Sequence, residues 1–195
     1  MSTNQEQVRG EGSLDRPLWK LILLGLAVLL AWPIAPIFTP LKFTPQTSDV
    51  ILVLGPATPT RLALADDMLE AGYSDFLLIS AAEEGPGRSI PMTPTCSTPS
   101  NFRVYCKQSL PFTTQGEIGM LEELAQKNGW DSAIIVTDTA QVSRARLYAE
   151  RCFSGRAVVL SDESPMSMAD AAQEYVYQSA GFAKALLITT GCASN

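Results

Sequence analysis

The 195-residue chain contains no histidine. That absence removes the imidazole general base, the Ser-His-Asp triad and histidine-rich metal sites together. Charge is scarce as well. Only 17% of residues are charged against 46% apolar, so most of the chain is expected to fold rather than stay disordered. The net charge is −6. Within residues 1–20, Arg9, Arg16 and Lys20 cancel Glu6, Glu11 and Asp15, so the excess negative charge belongs to the remainder. An acidic body argues against nucleic acid as a partner. No GxGxxG, Walker A or GxSxG motif occurs, so a ligand pocket must be located by architecture rather than by a signature. There is no CxxC unit, which argues against zinc, and no convincing carboxylate cluster for another metal. No cofactor is identified.

One long apolar run is present. LILLGLAVLLAWPIAPIF, residues 21–38, is eighteen residues without a charge, about the minimum to cross a hydrocarbon core of ~30 Å. Trp19, Trp32 and Phe38 lie near its ends, where aromatic rings suit the lipid–water boundary. Arg9, Arg16 and Lys20 precede it, and Lys42 alone follows closely. The positive-inside bias therefore predicts a single-pass plasma-membrane protein with residues 1–20 in the cytoplasm. Residues 39–48 read as a linker rich in Thr and Pro, and 49–195 as the extracytoplasmic domain. Pro33 and Pro36 are expected to break the helix at its outer end. A cleaved signal peptide is the rival, disfavoured because no small-x-small site stands after the run.

Cys96, Cys106, Cys152 and Cys192 are an even set in a predicted oxidising compartment. Three pairings are open. Cys96–Cys106, closing a short loop, and Cys152–Cys192, tying a helix end to the C-terminus, are favoured over free buried thiols.

Strand and helix signals alternate beyond residue 48. DVILVLG (49–55), FLLIS (76–80), FRVYC (102–106), SAIIVT (132–137) and AVVL (157–160) read as strands. Residues 59–71, 114–128, 139–152 and 167–187 read as helices, with Gly72 and Gly129 as natural stops. Residues 81–102, with four Pro, two Gly and the Glu83–Glu84 pair, read as a loop. This alternation predicts an α/β fold, a Rossmann-like three-layer sandwich around a central parallel sheet, preceded by one transmembrane helix. Such sheets bind ligands beyond the carboxyl ends of their strands. That rule selects Gly55, Pro56 and Arg61 after the first strand, and Ser80 after the second. It adds Thr113, Thr114 and Glu117 at the next helix start, then Thr137, Asp138, Gln141 and Arg144 after SAIIVT.

The blocks DVILVLG with TRLALADDMLEAG, LLIS, TTQGE and VTDTAQVSRARLYAERC resemble the YdcF/SanA/ElyC family, a domain of unknown function in bacterial envelopes. The resemblance spans about residues 49–155, and Arg144-Ala145 matches the family's arginine-alanine pair. It implies a Rossmann-like fold and a role in envelope biogenesis, with phosphate-bearing ligands such as lipid-linked precursors or nucleotides. The chain departs from the pattern at Pro56, Ala81, Gln115 and Gln141, where the family has glycine, glycine, arginine and histidine.

Bland readings compete at each position. Thr114 and Glu117 have the T-x-x-E spacing of a capping box, and Asp138 with Gln141 repeats that logic. Gln141 keeps hydrogen bonds but does not transfer protons as histidine would. Arg144 leans back toward the strand end, either to a ligand or to a salt bridge with Asp138 or Glu117. Arg146 is expected to pair with Glu150 at the surface, and Arg151 and Arg156 to be solvated. The resulting expectation is an envelope protein that binds a small anionic or phosphorylated ligand through Arg61 and Arg144. Gly55, Ser80, Thr113, Thr114, Thr137 and Gln141 complete the site. Glu117 is the one plausible base if a reaction occurs. The alternative is a non-catalytic envelope binding or scaffold protein that has lost the family's polar residues.

Overall fold

The computed structural model describes residues 15–81 and 93–193; residues 1–14 and the Glu83–Glu84 pair lie outside them. The chain divides after Ile34 into two compact units. In the first, helix α1 spans Asp15–Ala31, so it begins before the apolar run and takes in Lys20. Leu18–Phe38 is long and apolar enough to cross a membrane, and its leucines have no protein cover, Leu29 being 70% exposed. The chain leaves the helix at Trp32–Pro33 and re-enters a short helix α2, Ile34–Phe38. Pro33 breaks the helix as expected, but Pro36 does not. It lies in the first turn of α2, where the missing N–H has no intrahelical acceptor to lose.

The second unit is built on five parallel strands in the order β3-β2-β1-β4-β5. They are β1 (Val50–Val53), β2 (Phe76–Ser80), β3 (Arg103–Lys107), β4 (Ser132–Thr137) and β5 (Arg156–Ser161). Central strand β1 is fully buried because both its faces are covered. Val50 and Leu52 pack toward the layer of helices α4 (Thr114–Asn128) and α5 (Val142–Cys152). Ile51 and Val53 pack toward α3 (Pro59–Glu70) on the opposite side. The sixth helix, α6, spans Met168–Leu187.

Local chemistry sets the boundaries. Thr58 caps α3, with Pro59 as its first residue, and Gly72 beyond its end takes φ 78°. Gly129 ends α4 in the left-handed region at φ 71°, its N–H donating to the Ala125 carbonyl. The cap of α4 is not the expected Thr114–Glu117 box. Thr113 is the N-cap, accepting from the Gly116 N–H at 3.3 Å. Adjacent threonines offer two registers, and the choice of Thr113 moves Glu117 past the capping position and frees its carboxylate for another partner. Both favoured disulfides are present: Cys96–Cys106 with Cα atoms 5.9 Å apart, and Cys152–Cys192 at 5.3 Å.

Residues 39–48 lack regular secondary structure but run as a strap against the body. Ile37 is wholly buried and the Pro36 carbonyl accepts from Ser143 Oγ at 2.6 Å. Arg146 Nη2 donates to the Leu41 carbonyl at 2.9 Å, and its guanidinium lies 4.4 Å over the Phe43 ring. Arg146 therefore spends its guanidinium on the strap rather than on the expected surface ion pair with Glu150, whose charge still acts on it from nearby. Arg151 also differs: its Nη1 donates to the Ala185 carbonyl at 2.7 Å. In both cases a backbone carbonyl from a remote segment outcompetes water for the guanidinium.

Candidate functional site

The chain winds from β1 to β2 and β3 on one side of the sheet, then crosses to β4 and β5 on the other. Connections leaving the carboxyl ends of β1 and β4 therefore diverge and open a crevice between them. Every residue selected from the sequence falls at this edge, but they sort into three groups.

Glu117 forms the innermost group. It is 3% exposed, and its Oε1 accepts the Gly55 N–H at 2.7 Å. Burial pushes its pKa up. The Ser80 hydroxyl, the Gly55 N–H and the charges of Arg144 and Arg61 oppose that rise without cancelling it. Ser80 Oγ is buried near this carboxylate, yet its geometry falls short of a hydrogen bond to any described residue. Position 55 is tight for any side chain. A Cβ there would lie 3.2 Å from both Glu117 Oε1 and the Phe112 ring.

A second group stitches two elements together. Thr137 Oγ1 donates to Gln141 Oε1 at 3.0 Å, and Gln141 Nε2 donates to Thr114 Oγ1 at 2.7 Å. Both ends of the amide are occupied, joining the end of β4 to the start of α4. The cap of the Thr139–Gln141 turn is the Asp138 carboxylate, which accepts the Gln141 N–H at 2.9 Å. Arg61 is also a strut. Its Nη1 donates to the carbonyls of Leu54 (3.1 Å) and Pro56 (3.0 Å), and its Nη2 to Asp138 Oδ2 at 2.6 Å. Its Nε lies 3.4 Å from Asp162 Oδ2, within ion-pair range but outside hydrogen-bond geometry. The expected anion grip by Arg61 is thus replaced by a clamp on two internal carboxylates.

Arg144 behaves differently. It is 7% exposed and makes no ion pair with Asp138 or Glu117. Nε donates to Gln178 Oε1 at 2.8 Å, and Gln178 in turn donates to Glu174 at 3.0 Å. The guanidinium lies 5.5 Å over the Tyr177 ring. Its two terminal nitrogens have no hydrogen-bond partner among the described residues. Arg144 borders a cavity of about 270 Å³ also lined by Thr113, Thr114 and Gln115 of the α4 start and by Tyr177 and Lys184 of α6. Two positive side chains and the N-terminus of a 15-residue helix therefore meet at one hollow. A larger cavity of about 610 Å³ lies between the strap and β5. Its wall is mainly apolar, its Lys42 is paired with Glu163, and its Thr139 and Ser161 hydroxyls bond each other, so an anion is better served by the smaller cavity.

No family model, curated protein or solved structure matches the chain. The site rests on its own geometry.

The sequence missed the contribution of α6. Gln178 is 1% exposed and positions Arg144, while Gly181 lets the helix approach, since a Cβ there would lie 3.1 Å from Arg144 Cδ and Nε. A buried glutamine in an apolar helix was the available signal. Among the described residues no three metal-ligating side chains gather.

Proposed function

We propose that this is a membrane-anchored envelope protein of the YdcF/SanA/ElyC type whose outer domain binds a small anionic or phosphorylated ligand. Leu18–Phe38 is the anchor, the N-terminus is cytoplasmic and the α/β domain is extracytoplasmic. The two disulfides fit that compartment. One observation carries the binding reading: a buried arginine, held at Nε, presents its terminal nitrogens without a carboxylate partner to a cavity at a helix N-terminus. A planar guanidinium so held suits the paired oxygens of a phosphate or carboxylate.

A binding role without catalysis is favoured over processing by a specific contact. Glu117, the one candidate base, is sealed against Gly55 and is not among the cavity's lining residues. Calorimetric titration of the full chain in detergent with inorganic phosphate and pyrophosphate tests the reading. Arg144→Ala is expected to weaken binding on the order of 10- to 100-fold, the worth of one or two charge-assisted hydrogen bonds. Wild-type protein that binds neither anion, or a variant that binds both as well as wild type does, sinks it.

A further inference from the structure

Helix α6 is unusual for a surface helix of a folded domain. Of its twenty residues only Gln178 and Ala185 are buried. Its outer side exposes Val176 (66%), Leu186 (56%) and Leu187 (80%), followed by Ile188 (75%). Ala172, Ala180 and Ala183 are exposed beside them, and Asp170 and Lys184 are the exposed charges on the helix. A contiguous apolar face of this kind requires cover.

The fold indicates what covers it. α6 lies alongside α5 and runs in the same direction: Gln178 meets Arg144, Ala185 meets Arg151 and Thr189 meets Tyr148. The adjacent flank of the same α5 holds the last turn of the apolar span, which belongs to this second unit. Ser143 binds the Pro36 carbonyl, Arg146 binds the Leu41 carbonyl, and Ile37 is wholly buried. The outer end of the span and α6 therefore flank the same helix, within about two helix-packing distances, on the order of 20 Å. Lipid is the apolar phase that the chain itself brings to that distance in every copy. Tyr177 and Lys184 add the amphipathic side chains that suit a lipid–water boundary.

We infer that α6 is an interfacial helix whose outer apolar face rests on the bilayer, so that the Arg144 cavity it walls opens at the membrane surface. The inference rests on the reading of Leu18–Phe38 as a membrane span, and the test separates the two. Nitroxide labels are placed through Val176→Cys and Leu187→Cys on α6, Leu24→Cys in the span and Asp67→Cys on the exposed side of α3. The four native cysteines are paired, and intact mass confirms that they stay so. The full chain is studied in phosphatidylcholine nanodiscs by power-saturation EPR with oxygen and a water-soluble nickel chelate. Labels at 176 and 187 are expected to favour oxygen over nickel several-fold, as at 24, while 67 favours nickel. Water-like labels at 176 and 187 with a lipid-like 24 overturn the inference alone. A water-like label at 24 overturns the span reading and the inference with it. Strong spin–spin broadening at 187 between copies assigns the face to a second copy of this chain and also overturns it.

Discussion

Arg61 and Arg144 both stand at the carboxyl edge of the sheet, but the structure gives them opposite work, and Arg61→Ala separates them. The Arg61 side chain is 6% exposed and stands between Asp138 (24%) and Asp162 (3%). Its removal leaves Asp162 buried without a counter-charge and strips the Leu54 and Pro56 carbonyls of their donor. Breaking a buried pair from one side costs ~3–5 kcal/mol. For a chain of this length that corresponds to a fall in Tm of about 6–20 °C. Arg144→Ala breaks no ion pair, although Glu117 loses one of the charges that favour its ionised form. The variant loses the Gln178 hydrogen bond and the Tyr177 face, together about 1–2 kcal/mol, while weakening anion binding on the order of 10- to 100-fold. Thermal unfolding of the full chain in detergent, followed by near-ultraviolet circular dichroism, measures both. Adding Asp162→Asn to Arg61→Ala removes the stranded charge and should return about 1–3 kcal/mol. If Arg61→Ala costs less than about 1 kcal/mol, or Asp162→Asn adds to the damage, the strut reading is wrong.

Glu117 gives a pH signature. Burial raises its folded pKa above the usual glutamate value, so the folded state holds the proton more tightly than the unfolded chain does. The associated stability is fully present below the unfolded value and is lost as pH rises through the folded one. The neutral amide introduced by Glu117→Gln mimics the protonated acid and still accepts from the Gly55 N–H. The variant should match wild type at about pH 4 and become progressively more stable than it toward about pH 8, read from urea midpoints; a constant offset would refute the burial argument. For the disulfides, the chain separations of 40 and 10 residues put the loss of Cys152–Cys192 at about 4 kcal/mol and of Cys96–Cys106 at about 3 kcal/mol in the loop-entropy account. Intact mass should show four alkyl groups after reduction and none before.

What was legible in the sequence was whatever local chemistry decides. Apolar runs gave the inner strands, because the middle of a strand covered on both faces is filled by apolar side chains, with Ser80 and Thr137 buried only at the carboxyl ends. Gly72 and Gly129 gave helix ends, because their positive φ suits no other residue as well. The crevice followed from the alternation of elements alone. The roles of its charged residues did not, because a guanidinium's partner is chosen across the chain. Arg61 faces Asp162, Arg144 is oriented by Gln178, and Arg146 by the strap. The Thr113–Thr114 doublet shows the smallest version of the same limit. Either residue caps a helix equally well in isolation, and the tertiary demand for a carboxylate at the Gly55 N–H selects Thr113. That selection also bears on chemistry. A glutamate spent on capping would sit at the helix mouth in solvent, whereas Glu117 in its observed register is sealed in the interior. The residue left facing the cavity is then a fixed positive charge rather than a proton carrier, which favours holding an anion over transforming it.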